Sequence, residues 1–314
     1  MHVLEDVHFN LPKGEESQFD VVGMGLNAVD WIVQLPYFPQ RNSKVQIKEF
    51  KRIAGGQVAT AMVLCGRYGL RTCYIGRVGD DEIGEFSLLS LKSEPIDISM
   101  VEVIPGAKSQ YAVILVDPDG QRTVLWDRDP KLTYSNDVIS FESISAGRIL
   151  HLDGHDEEAA IRCAQYAKNA EIKVCLDVDK VQSKTGELLS LVDFALPSEN
   201  FVHQFTGKLD WRQALLEVDK SVYGFTAITR DFRGCAAVWQ GKIHEVPSFS
   251  IDPVDGTGAG DVFHGAFIYA ICQEWNLWHC LRFANAAGAL SCRYVGSRTG
   301  IPHLQEIEEL LNGH

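Results

Sequence analysis

The residues best suited to chemistry are Asp255-Gly256-Thr257-Gly258-Ala259-Gly260-Asp261. They lead into Val262, Phe263, Ala266, Phe267, Ala270 and Ile271, apolar at the three-and-four spacing of a buried helix. A glycine-rich turn opening a helix aims several backbone N–H groups at one point, and the helix dipole adds partial positive charge there. Negative or developing negative charge is favoured at that point. Asp261 lies at the helix mouth, so a carboxylate stands beside an anion hole. Phosphoryl transfer needs that pair: a base for the attacking hydroxyl and donors for the charge on the transferred group. The same residues also fit a capped helix after a flexible loop, since aspartate is a common N-cap.

Three other stretches carry polar groups at element ends. Residues 19–23 read as a buried strand running into Gly23-Met24-Gly25, with Asp30 soon after. A carboxylate there fits a site at the carboxyl edge of a sheet, or a solvated turn. Ala54-Gly55-Gly56-Gln57 opens a small, apolar run, 58–68, that reads as a buried helix ending at Gly69. Two glycines at its mouth let backbone approach a ligand closely, or make a tight strand-to-helix turn. His151-Leu152-Asp153-Gly154-His155 ends a core strand. Its two histidines have the spacing of a helical metal pair, but Gly154 and the strand end break that alignment. Asp153 and His155 point instead to the sheet edge, as substrate contacts or a polar loop pair.

A sheet must hold these residues. Strands 149–152, 173–177, 194–196 and 224–229 alternate with helices 157–169, 186–191, 201–206 and 211–219. That alternation predicts a doubly wound, mostly parallel α/β sheet flanked by helices. Earlier come a strand at 72–75 and a helix at 85–92, with Asp80 or Asp81 as its cap. Residues 45–53 alternate, and 111–116 and 122–126 flank Asp117-Pro118-Asp119-Gly120, a hairpin signal. Together they predict a small antiparallel sheet serving as a lid. A second hairpin joins 236–239 to 242–246, residues 278–294 read as a helix pair or bend, and 304–311 as a short amphipathic helix. The expected organisation is an arm at 1–18 and one domain at 19–314, with lid strands from about 31–53 and 109–127.

Composition narrows the function. At 314 residues the chain can bury a large core, and 46% hydrophobic with 23% charged residues is ordinary for a globular protein. A formal charge of −13 argues against a nucleic-acid partner, though one basic pocket would suffice for an anionic substrate. The eight cysteines form no C-x-x-C pair and read as buried thiols in a reducing compartment. No apolar run has transmembrane length, and the first residues lack the apolar core of a signal peptide, so the expected location is cytoplasmic, away from membranes.

The stretch Asp255 to Asp261 with Gly265-Ala266 resembles the C-terminal signature of the ribokinase-like (PfkB) carbohydrate kinases. Ile75-Gly76-Arg77-Val78-Gly79-Asp80-Asp81-Glu82-Ile83-Gly84 is similar to a second motif of that family. Within it, Gly55-Gly56 with Ala59-Thr60-Ala61, Asp261-Val262-Phe263-His264-Gly265-Ala266 and Arg298-Thr299-Gly300-Ile301-Pro302 look most like ketohexokinase-like and sulfofructose-kinase-like members. The resemblance implies ATP- and Mg2+-dependent phosphorylation of a small sugar, a ketose or anionic derivative included. It implies Asp261 as base, Gly258, Ala259 and Gly260 as anion hole, and Asp30, Gly55, Gly56, Gln57 and Thr60 around the sugar. Arg128, with Arg77 and Lys131, is a candidate anion contact. Thr229, Arg230, Gly234, Thr257, Asn285 and Gly288 fall where the family holds nucleotide. Asp255, near the 292–296 segment, falls where many members hold a monovalent cation such as K+.

Departures are present too. Gly256 stands where the family usually has Thr or Ser. Ser198-Glu199-Asn200-Phe201 lacks the Glu of the usual Asn-x-x-Glu, leaving Glu199 as a candidate for a Mg2+–water network. Asp231 replaces a glycine of the nucleotide loop, with Arg230 or Arg233 to offset its charge. A nucleoside kinase on the same fold and a non-catalytic sugar or nucleotide sensor are the alternatives. A homodimer through the lid is a further expectation.

Overall fold

The computed structural model describes residues 3–12, 17–118, 122–134 and 139–313. After a 3-10 turn at Val3–Asp6, the first elements are β1 (Val21–Met24), β2 (Ala28–Gln34), β3 (Glu49–Gly55), α1 (Gln57–Arg67), β4 (Thr72–Gly79) and α2 (Glu82–Lys92). β5 (Val101–Ile104), β6 (Tyr111–Val116), β7 (Arg122–Asp127), α3 (Phe141–Ser145), β8 (Ile149–Leu152), α4 (Glu157–Asn169) and β9 (Lys173–Leu176) follow. Next come α5 (Thr185–Leu189), β10 (Phe194–Ala195), α6 (Glu199–Thr206), α7 (Trp211–Asp219), β11 (Phe225–Thr229), β12 (Cys235–Trp239) and β13 (Lys242–Val246). The chain ends in α8 (Ala259–Cys272), α9 (Leu277–Ser291) and α10 (Leu304–Asn312).

A nine-stranded sheet has the order β13-β12-β11-β10-β9-β8-β1-β4-β5. From β11 to β5 every neighbouring pair is parallel; β12 and β13 close one edge antiparallel. Both faces are covered, so consecutive strand residues enter different cores. Val21, Ile149 and Cys175 pack with α1, α8 and α9, whereas Val22, Leu150 and Val174 pack with α4, α6 and α7. From β1 the chain first builds outward to β4 and β5, then returns to β8 on the other side. Strand order therefore reverses between β1 and β8, where open α/β sheets form a crevice beyond the carboxyl ends. Register aligns Met24 with Leu152 and Leu152 with Leu176. The residues just past them, Gly25, Asp153 and Asp177, thus share one edge.

The small sheet runs β3-β2-β6-β7. It is mixed rather than antiparallel, because β2 pairs with β6 in parallel across the intervening main-sheet segments. Residues 45–48 are not strand: Ile47 is 44% exposed, so their alternation meets no apolar surface to cover. Asp119 and Gly120 of the expected hairpin turn lie outside the described residues. In place of a helix pair or bend over 278–294, a single helix, α9 (Leu277–Ser291), covers 278–291, and 292–294 lie past its end. β5 and α3 are additions that the pattern did not predict. Asp81, not Asp80, caps α2, accepting from Gly84 N at 2.9 Å. The arm packs into the core: Leu4 is fully buried and Phe9 meets Phe194 edge-on at 4.8 Å. All eight cysteines are free thiols, six of them buried.

Candidate active site

The mouth of α8 is a built turn. Asp255 accepts from Thr257 N at 2.9 Å and Thr257 Oγ1 at 2.7 Å with one oxygen, and from Gly296 N at 2.8 Å with the other. Gly258, at φ 79°, turns the chain into the helix, and a Cβ there would lie 2.1 Å from Ser297 Cβ. Only glycine fits that backbone and that space. Among the described residues no side chain caps α8, which leaves its first-turn amides free of a side-chain cap. A Cβ on Gly260 would meet nothing within 4 Å, which leaves the mouth open to a ligand. Asp261 lies in this first turn.

Opposite stand the sheet edge and the root of the small sheet. Asp30 on β2 lies against Gly55 at the end of β3, where a Cβ would fall 2.1 Å from its Oδ2. Gly56, at φ 96°, caps α1 without a side-chain bond, and a Cβ there would strike Leu26 O. Asp153 accepts from Leu26 N and from His155 N, at 3.0 Å, so it fixes the loop after β1. His155 lies 3.7 Å from Asp179. Gln57 hydrogen-bonds Asp177.

Burial dominates the electrostatics. It lifts the Asp261 carboxyl well above the usual range; Asp177 and Asp30 add to this, while His264 and Arg122 oppose it. Burial and then Asp179 and Asp153 push Asp177 up in the same way, with Gln57 pulling down. Asp30 rises to about 6, chiefly through burial. His264, one turn below Asp261, faces Gly260 O at 2.8 Å and Asp177 Oδ2 at 3.4 Å with Nδ1, and Leu196 O at 3.0 Å with Nε2. Sequence reasoning singled out neither Asp177 nor a role for His264. The signals were a third strand ending in aspartate and a histidine three residues after Asp261 on the same helix.

Several expected contacts are held by protein instead. Arg128 pairs with Asp156 at 2.8 Å, Arg77 with Glu102 at 2.7 Å, and Lys131 donates to Gly106 O at 2.8 Å. The lid cation that does face the site is Arg122, which donates to Gly256 O. Thr60, in the first turn of α1, is fully buried, and its hydroxyl has no hydrogen-bond partner among the described residues. Asn285 fastens the segment after β13 by donating to Val246 O at 3.0 Å, and Gly288 permits close packing of α9 on Ala259 O. Arg230 is buried between Glu199, at 2.8 Å, and Glu245, at 2.7 Å, over the Trp211 ring. Arg233 also pairs with Glu199, so neither arginine offsets Asp231. Asp231 itself takes φ 50°, the left-handed conformation for which a glycine would stand there. Thr229 ends β11 and Gly234, at φ 89°, turns into β12.

Known proteins share this architecture. The ribokinase of Bacillus subtilis (strain 168) is 26% identical over 291 residues, covering 92% of this chain and 98% of its own. A nucleoside kinase of Methanothermobacter thermautotrophicus is 24% identical over 293 residues, covering 91% and 94%. The solved structure of a candidate ribokinase from Agrobacterium tumefaciens superposes with a TM-score of 0.88 at 27% identity, covering 94% of this chain and 98% of that one. The fold is therefore ribokinase-like. A model described as "pfkB family carbohydrate kinase" matches residues 20–304. On that match, which spans both halves of the crevice, the chain belongs to the pfkB family of carbohydrate kinases.

Proposed function

We propose that this kinase transfers the γ-phosphoryl group of ATP to a primary hydroxyl of a small sugar, bound between the sheet edge and the small sheet. The observation that carries the reading is the uncapped mouth of α8, with Asp261 in its first turn and Asp30 and Asp177 within electrostatic reach. Asp261 takes the hydroxyl proton. The amides around Gly258, Ala259 and Gly260 receive the charge of the transferred group. Asp30 and the Gly55-Gly56 backbone hold other sugar hydroxyls, and Asp153 keeps the β1 loop in place. The small sheet excludes water when it closes.

Among the described residues, no three His, Cys, Asp or Glu side chains group to hold a metal ion. Bound together with ATP, Mg2+ would supply charge neutralisation along the phosphates. A K+ site rests on Asp255 and the segment it fixes at Gly296; turnover in K+ against Na+ tests it. No helix among the described residues is long and apolar enough to cross a membrane.

The nucleoside kinase relative supports a second reading, a nucleoside acceptor in the same crevice. A panel of ketoses, aldoses, sugar acids, sugar phosphates and nucleosides, scored by thermal shift and then by phosphorylated product, separates them. A nucleoside turned over better than every sugar overturns the first reading. Ligand-induced stabilisation without product from any acceptor favours a sensor.

A further inference from the structure

We propose that Arg298 is a positioning residue that fixes the Asp30 carboxylate and keeps it ionised for the sugar. The inference rests on Asp30 meeting the sugar. Arg298 is 3% exposed. Its Nη2 donates to Asn27 Oδ1 at 2.6 Å and to Gly55 O at 2.7 Å, and its Nη1 to Ser90 Oγ at 3.2 Å. Its Nε is buried without a hydrogen-bond partner among the described residues. Every one of those acceptors is neutral, and no ion pair with Arg298 is found among the described residues.

A buried guanidinium held by neutral groups alone is unfavourable; Tyr74, Glu94 and then Asp30 favour its charged form, and Arg67 opposes it. Of these, Asp30 is the one the geometry ties to the sugar side. Arg298 grips the Gly55 carbonyl, and Asp30 Oδ2 lies over the Gly55 α-carbon. One peptide unit therefore separates cation from anion. The same grip reaches both connections of the small sheet, because Asn27 precedes β2 and Gly55 ends β3. Burial works against an ionised Asp30; Arg298 is the largest charge in its favour, Asp255 opposes it, and Arg122 helps. Asp261 is the remaining acid coupled to it.

The test measures kcat/KM for the turned-over sugar from pH 5.5 to 9 in wild type, Arg298→Met, Arg298→Lys, Asn27→Asp and Asp30→Asn. Without the guanidinium, the acid limb should move up by about one unit or more. For a one-unit shift Arg298→Met then loses roughly threefold near pH 6.5 and nearly tenfold at pH 5.5, and recovers toward wild type by pH 9. KM for ATP should change less than about twofold, and Arg298→Lys should restore the limb. Asn27→Asp places a carboxylate on Arg298 and should shift the limb upward as well, which keeps the test open if the Met variant does not fold. A folded Arg298→Met or Asn27→Asp protein with an unmoved limb overturns the inference. Asp30→Asn with wild-type sugar affinity sinks the sugar-site reading instead, so the two failures are distinguishable.

Discussion

Four carboxylates, Asp30, Asp153, Asp177 and Asp261, converge on one crevice, and what surrounds each decides its work. Asp261 must be ionised to accept a proton, and burial raises its pKa. Turnover should therefore fall as pH drops through a value above the ordinary carboxylate range. Asp261→Asn should lower kcat about 10^2- to 10^4-fold while Kd for sugar and ATP stays within about threefold; near-normal turnover removes Asp261 as base. Asp30 makes a prediction of another kind. Its pKa rises from 3.8 to about 6 on folding. The folded state thus holds the proton more tightly, and stability is lost as pH climbs through that window. At pH 8 the ionised group destabilises the apo protein on the order of 2–3 kcal/mol. Asp30→Asn should raise Tm at pH 8, leave it nearly unchanged at pH 4, and weaken sugar binding. A lower Tm at pH 8 contradicts the burial argument.

Elements decide which residues can act, and here the sequence was legible unevenly. The α8 mouth was readable because its glycines are dictated by local geometry. Gly258→Ala forces a left-handed backbone and a contact with Ser297. It should reduce stability by about 1–3 kcal/mol in urea unfolding and abolish turnover; an active, stable variant would show that the turn relaxes. The main-sheet order was also readable, since alternating strands and helices leave few topologies. What was hidden depends on pairing between distant segments. The parallel β2–β6 pair, Asp177 at a strand end shared with Asp153, and Arg298 under Gly55 follow from register, not from any local pattern. Glu199 shows the same limit. Its position suggested a Mg2+ network, yet α6 offers it to Arg230 and Arg233. Glu199→Ala should cost about 1–2 kcal/mol, since Arg230 loses one charged partner but keeps Glu245. The Mg2+ concentration for half-maximal turnover should stay put; a large shift would return Glu199 to the metal.

At the scale of the whole molecule, the small sheet is an incomplete structure. Among the described residues its own core is Ile32, Ala112, Ile114 and Val116, with Ile53 and Val295 against it. β7 is an edge strand bonded on one side to β6, and Val124, Leu125 and Trp126 on it are 46%, 55% and 55% exposed. Phe50 on β3 is 56% exposed. Bare apolar side chains and an unpaired edge invite a second strand. A second copy of this chain is the partner we expect, giving twice 34.9 kDa in equilibrium sedimentation. Because Arg122 begins the same strand and bonds Gly256 at the α8 mouth, a dimer would also steady the lid over the site. Trp126→Asp should yield monomers with a raised KM for the sugar and an unchanged Tm for the main sheet. Wild type that sediments as a monomer up to about 100 μM would leave the lid face without that partner, a range in which a standard-sized interface is already formed.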